Sequence, residues 1–212
     1  EIRMYINTET LQYPVSENWI RKNAPNTSFT EDFTPPAPFK AVKATINNLD
    51  FNPITQRIEQ SFPENRGGEW FQTWNVVDKY ATKEEADKAI LDNLNDTKIA
   101  KNLEINTERL KANNSWFVFL DSRIACDQLS REDINGVNGY VLNTDSLPDS
   151  WPGGWKHMDN GYVPIVSVEM WKMFYAAMVN QGMANFQKAQ TLKQRVSEAT
   201  TVQEVDSIKW EE

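Results

Sequence analysis

Residues 154–178 read GWKHMDNGYVPIVSVEMWKMFYAAM, and the fold class turns on a change of rhythm inside them. Trp155 to His157 and Tyr162 to Ile165 are short extended runs joined by Asp159-Asn160-Gly161. An Asn-Gly pair tolerates the positive φ that a tight hairpin demands. Ser167 then offers an oxygen to the first turn of a helix. From Trp171 onward Phe174, Tyr175, Met178, Gly182, Phe186, Ala189, Leu192 and Val196 recur at helical spacing. A period near two giving way to one near 3.6 predicts a hairpin packed by a long helix, an α+β arrangement.

The flanking sequence extends the pattern. Trp116 to Leu120 and Ile124 to Cys126 read as a second hairpin turning at Asp121-Ser122. Ser130 is the expected cap of a helix through Ile134, Val137 and Val141, and Thr201 with Glu204 opens a short helix carrying Val205 and Ile208. Residues 114–212 thus form a C-terminal module of helices with two short β-hairpins.

Upstream, Thr82 and Glu85 make a capping box, and no glycine or proline interrupts the chain until Asn113-Asn114. Ile90, Leu94, Ile99, Leu103 and Leu110 give this stretch only a thin apolar stripe, so residues 81–113 read as a connecting helix. Residues 1–80 read as a small β-rich module. Ser16 caps a short helix through Trp19 and Ile20 that ends before Pro25, and Pro35-Pro36-Ala37-Pro38 is a stiff, extended connector. Val42, Ala44 and Ile46 alternate as a half-buried strand. A hairpin follows: Ile54 to Phe62, a turn over residues 63–68, and Glu69 to Val77, with Trp70, Trp74 and Val76 on one face.

Composition narrows the function. With 22 Lys and Arg against 30 Asp and Glu, the net charge of −8 repels a phosphate backbone, so nucleic acid is not an expected partner. No run approaches the roughly 20 apolar residues of a membrane-spanning helix, and no charged-then-apolar leader is visible. A soluble chain without membrane insertion is expected. Met4 reads as a natural start preceded by Glu1, Ile2 and Arg3.

The sole cysteine, Cys126, can make no internal disulfide, and with the sole histidine, His157, it cannot build a Cys/His zinc site. Neither has the surroundings of a nucleophile or an acid-base pair, and the pairs Gly67-Gly68 and Gly153-Gly154 are not phosphate loops. The expectation is a protein with no catalytic centre, no metal and no cofactor. Asn-x-Ser/Thr triplets at Asn26, Asn95 and Asn113 carry no weight without a secretion signal.

Two resemblances cover nearly the whole chain. Met4-Tyr5-Ile6-Asn7, Tyr13-Pro14-Val15-Ser16-Glu17, Phe51-Asn52-Pro53-Ile54-Thr55-Gln56 and the Trp70 to Asp78 run resemble the N-terminal region of bacteriophage tail-fibre assembly proteins. Phe119 to Arg123, Trp155 to Gly161, Val166 to Glu169 and Ala199 to Val205 resemble an uncharacterised domain family at the C-terminus of phage tail proteins. The chain departs from the first group by carrying this second module in place of its usual C-terminal segment.

The resemblances imply a non-enzymatic viral protein that binds a tail fibre or other tail component as assembly factor, adaptor or cap. It would act in the host cytoplasm during assembly or stay in the virion tail, and a homo-oligomer is allowed. The expected partner surface is Trp70 and Trp74 with Phe39 of the connector, because tryptophans concentrate binding energy and a strand near a sheet edge can pair with a partner's strand. The alternative is a receptor-binding module that stacks Trp151 and Trp155 on host-surface carbohydrate.

Overall fold

A computed structural model describes residues 3–24, 29 and 33–211. The chain is α+β and divides into two compact units, residues 1–91 and 92–212. The expected helix stop at Pro25, the Asn26 triplet, Glu1 and Ile2 lie outside the described residues.

In the first unit a five-stranded sheet runs in the order β2-β1-β3-β5-β4. Its elements are β1 (Met4–Asn7), β2 (Val15–Ser16), α1 (Glu17–Asn23), β3 (Phe39–Lys43), β4 (Gln56–Arg66) and β5 (Glu69–Asp78). Ser16 caps α1 by accepting from the Trp19 N–H at 3.2 Å. Tyr5, Val15, Ile20 and Phe33 form the core, with Phe39 packed against it.

Two expectations shift here. The strand around Val42 ends at Lys43, so Ala44 and Ile46 lie outside it and Ile46 is 87% exposed. Alternation marked a strand there, but β3 pairs with β5 only through Val42 and Lys43, and the chain then leaves the sheet. The hairpin turn is also shorter than expected. β4 continues through Pro63 to Arg66, and the reversal is made by Gly67 and Gly68 at φ 63° and 87°. A register shift between Ser61 and Glu64 absorbs the proline, which has no N–H to give to a regular ladder.

The helix α2 (Lys83–Asn113) begins at the expected capping box, Thr82 and Glu85 bonding each other's backbone N–H at 3.2 Å. The unit boundary falls inside it. From Asp92 it belongs to the second unit, where Ile105, not the thin stripe, faces inward. Ile105 packs with Ala189, Leu192, Val196, Val205 and Ile208, with Leu94 at the margin, while Ile99, Leu103 and Leu110 are exposed.

The rest of the second unit comprises β6 (Trp116–Phe119), β7 (Ser122–Ala125), α3 (Gln128–Thr144), β8 (Gly154–Lys156), β9 (Tyr162–Pro164), α4 (Val168–Glu198) and α5 (Val202–Ser207). Both hairpins form. The first turns at Leu120 and Asp121, each at positive φ, one residue earlier than expected. The second turns through Asn160 at φ 65°. The cap of α3 is Asp127 and not Ser130: the Asp127 carboxylate accepts the Ser130 N–H at 3.1 Å, so the helix starts earlier. Ser167 and the Thr201/Glu204 box cap α4 and α5 as expected.

The inward face of α4 is Trp171, Phe174, Met178, Asn185, Ala189, Leu192 and Val196. Phe186 is a correction. Its place in the apolar stripe predicts burial, yet it is 42% exposed because the polar Asn185 holds the inward position. Trp171 and Phe174 join Phe117, Ile124, Ile134 and Val163 in the main core of this unit.

Candidate functional site

The sheet register decides which expected partner residues stand together. Val42 lies beside Trp70 on the neighbouring strand, so Phe39, three residues earlier, points to the opposite face. There it packs edge-on against Trp19 at 6.1 Å and supports the core beneath α1. Phe39 is therefore not part of a surface with Trp70 and Trp74, contrary to the sequence expectation. The spacing to a proline connector carries no information about sheet faces.

Trp70 and Trp74 do share a face, and both are half-buried. Trp70 packs edge-on against Phe62 at 6.2 Å, and its indole Nε1 is buried with no hydrogen-bond partner among the described residues. Trp74 donates from Nε1 to the Thr45 Oγ1 at 3.2 Å and lines a depression of about 370 Å³ with Ile46, Leu49, Arg66 and Gln72. Phe62 is 49% exposed and touches Tyr13, whose hydroxyl is bonded by Gln60. Val76, Ile46 and Leu49 are exposed around the tryptophans. Sequence reading found the two indoles but missed Phe62 and the 45–49 loop. Phe62 reaches this face by plain alternation, because Gln60, two residues earlier, stands opposite Trp74.

The backbone available for strand pairing is also not where the sequence placed it. β5 lies between β3 and β4, and β4 is the edge strand. Among the described residues no strand pairs with the outer side of β4. Its charged Arg57, Glu59, Glu64 and Arg66, with Pro63, are features that discourage indiscriminate edge pairing.

Trp151 and Trp155 stand together in the second unit, with ring centroids 6.1 Å apart. Both pack on Trp171, at 5.5 and 5.8 Å, and Trp155 also on Phe174 at 5.6 Å. The Trp151 Nε1 donates to the Ile165 carbonyl at 2.7 Å. These contacts occupy the rings as a lid on the core, and both side chains are half-buried.

His157 is held in its hairpin, Nδ1 accepting from the Asp159 N–H at 3.2 Å, and the Asp159 carboxylate is paired with Arg123. Cys126 is buried, which pushes its thiol above the ordinary value. Among the described residues no three His, Cys, Asp or Glu side chains stand close enough to hold a metal ion. No helix of the described residues is long and apolar enough to cross a membrane.

Residues 96–209, more than half of the chain, match a family model described as a domain of unknown function, DUF4376. No curated protein and no solved structure matches the chain.

Proposed function

The chain belongs to the DUF4376 family, and we propose that it is a non-enzymatic phage tail-associated protein that binds a tail fibre or another tail component as assembly factor, adaptor or cap. The observation that carries the binding part is the tryptophan face of the first unit. Trp70 and Trp74 are already half-buried, and Phe62, Val76, Ile46 and Leu49 surround them with exposed apolar side chains. Aromatic anchors with little rotamer freedom left to lose are the groups that concentrate binding energy in an interface. The phage-tail assignment rests on the sequence resemblance of the Met4, Phe51 and Trp70 motifs.

The test is co-expression with the phage's fibre protein, using Phe62→Ser and Val76→Thr beside the unaltered chain. Both side chains lie outside the buried core of the unit, so the variants should stay folded, which a thermal melt checks. Loss of co-purification with the fold intact supports the reading; full retention by both variants removes this face. Mass spectrometry of purified virions separates the roles. Fixed stoichiometry marks an adaptor or cap, and absence from virions marks an assembly factor that dissociates in the host cytoplasm.

A further inference from the structure

The second unit carries two adjoining open depressions, of about 410 and 350 Å³, that share Arg131 and Asn135 in their linings. They lie where the end of α2, the first turns of α3 and the middle of α4 converge. We propose that they form one docking groove for a peptide segment of a partner protein that presents a carboxylate beside an apolar side chain, with Arg131 as the partner of that carboxylate. The inference rests on the reading of this chain as a protein-binding molecule and places a second contact in the DUF4376 region.

Arg131 is the reason for the charge. Arg21, Arg57, Arg66 and Arg123 each pair with a carboxylate of this chain. Arg131 makes no ion pair among the described residues. One of its terminal nitrogens donates, at 3.4 and 3.3 Å, to the Asn113 carbonyl and the Asn114 Oδ1, both neutral. The other terminal nitrogen and Nε have no partner among the described residues. A half-buried guanidinium with donors in a fixed fork and no counter-ion favours a bidentate carboxylate from outside. Glu132 lines the second depression and opposes an anion there, its carboxylate accepting from Gln128 Nε2 at 3.0 Å.

The remaining lining selects a peptide over a small anion. Asn185 Nδ2 donates to the Asn113 Oδ1 at 2.9 Å, and Gln181 Nε2 donates to the Asn185 Oδ1 at 3.4 Å. The Tyr175 hydroxyl donates to the Asn135 Oδ1 at 3.4 Å. The side-chain amide nitrogens of Asn113 and Asn135 and the Gln181 side-chain oxygen have no hydrogen-bond partner among the described residues, so the lining keeps two donor groups and an acceptor, the complement of a peptide backbone. Met178, Val179 and Met183 supply an apolar wall that adjusts its shape readily. Leu110, 61% exposed, continues the apolar surface along the second depression. Two adjoining depressions with an apolar wall, amide side chains and one cation suit several residues of chain.

The test uses acetyl-Leu-Glu-Leu-amide and its neutral isostere acetyl-Leu-Gln-Leu-amide, read by methionine-methyl NMR on the full chain. The methyl signals of Met178 and Met183 are expected to shift saturably, with those of Met4, Met158 and Met173 as internal controls. The Glu peptide should bind about tenfold more tightly than the Gln peptide, the scale of one charge-assisted hydrogen-bonded pair. Arg131→Gln should bring it down to the Gln level, and Glu132→Gln should strengthen it.

Equal binding of the two peptides by the unaltered chain, or shifts spread evenly over all methionines, overturns the proposal without any variant having to fold. Unchanged Glu-peptide binding by a folded Arg131→Gln chain does the same. Such a failure leaves the fibre co-purification untouched, so loss of this groove and loss of the general binding reading are told apart.

Discussion

Asn185, in the middle of α4, reaches to Asn113 at the end of α2 and donates its amide to the Asn113 Oδ1 at 2.9 Å. Only 7% of Asn185 is exposed, so a polar residue holds a core position of a helix whose apolar pattern points to the residue after it. The bond satisfies an amide that burial would otherwise penalise, and it fixes the rotation of α4 against α2.

That rotation sets the cost of three substitutions. Trp171→Ala removes a fully buried ring and should cost roughly 3 to 5 kcal/mol. Asn185→Ala leaves the Asn113 and Gln181 amides short of a partner and should cost about 1 to 3 kcal/mol. Phe186→Ala loses only an exposed ring and the guanidinium of Arg109 stacked over it at 5.7 Å, so about 1 kcal/mol or less is expected. Urea melts of the three variants check the order. A Phe186 variant as damaged as the Trp171 variant means that the helix is rotated from the position described.

The unit boundary inside α2 makes a second prediction. Ile105 is 3% exposed in the cluster it shares with Leu192 and Val196, so Ile105→Ala should cost roughly 2 to 5 kcal/mol. Leu103, two residues earlier and exposed, should tolerate alanine within about 0.5 kcal/mol. A fragment of residues 92–212 should accordingly melt well above one of residues 114–212. Equal melting temperatures would make the whole helix a bare connector.

Acid should weaken the helix starts. The backbone N–H of Ser130 beside Asp127 holds that carboxyl below its ordinary value, and the backbone N–H of Thr200 does the same for Glu204. A carboxyl whose folded value is depressed contributes stability that is present above the unfolded value, about 3.9 for Asp and 4.3 for Glu, and lost as pH falls through the folded one. Asp127→Asn keeps an acceptor but no proton-linked term. The stability difference between it and the unaltered chain should therefore shrink as pH drops from 6 to 3. A difference constant over that range would remove the Asp127 carboxylate from the cap.

Cys126 should resist alkylation in the folded chain. Burial raises its thiol and depletes the reactive thiolate, and Phe117, Ile124 and Ile134 share its core. Iodoacetamide at pH 8 should label it slowly in the folded chain, where it is 5% exposed, with full labelling in urea. Prompt labelling of the native chain would mean that Cys126 is exposed.

Much of the local structure was legible in the sequence. Ser16, Ser167, the Thr82/Glu85 box and the Thr201/Glu204 box mark helix starts because each bond runs between residues three apart, and the Asn160-Gly161 turn is equally local. The α+β class follows from periods that a single segment carries. What tertiary structure alone decided depends on partners far away in the chain. Phe39 turns from Trp70 because of a parallel pairing between β3 and β5, and Phe62 joins the tryptophans because β4 meets β5 in the register that sets Gln60 opposite Trp74. Ile105 is buried rather than its exposed neighbours, and Asn185 rather than Phe186, because of how α2 meets α4. Arg131 is prominent only because, among the described residues, no carboxylate pairs with it. Hydrophobic spacing ranks the faces of a helix or strand, but burial goes to the face that a distant segment covers, and a polar residue can hold it when that segment supplies the hydrogen bond.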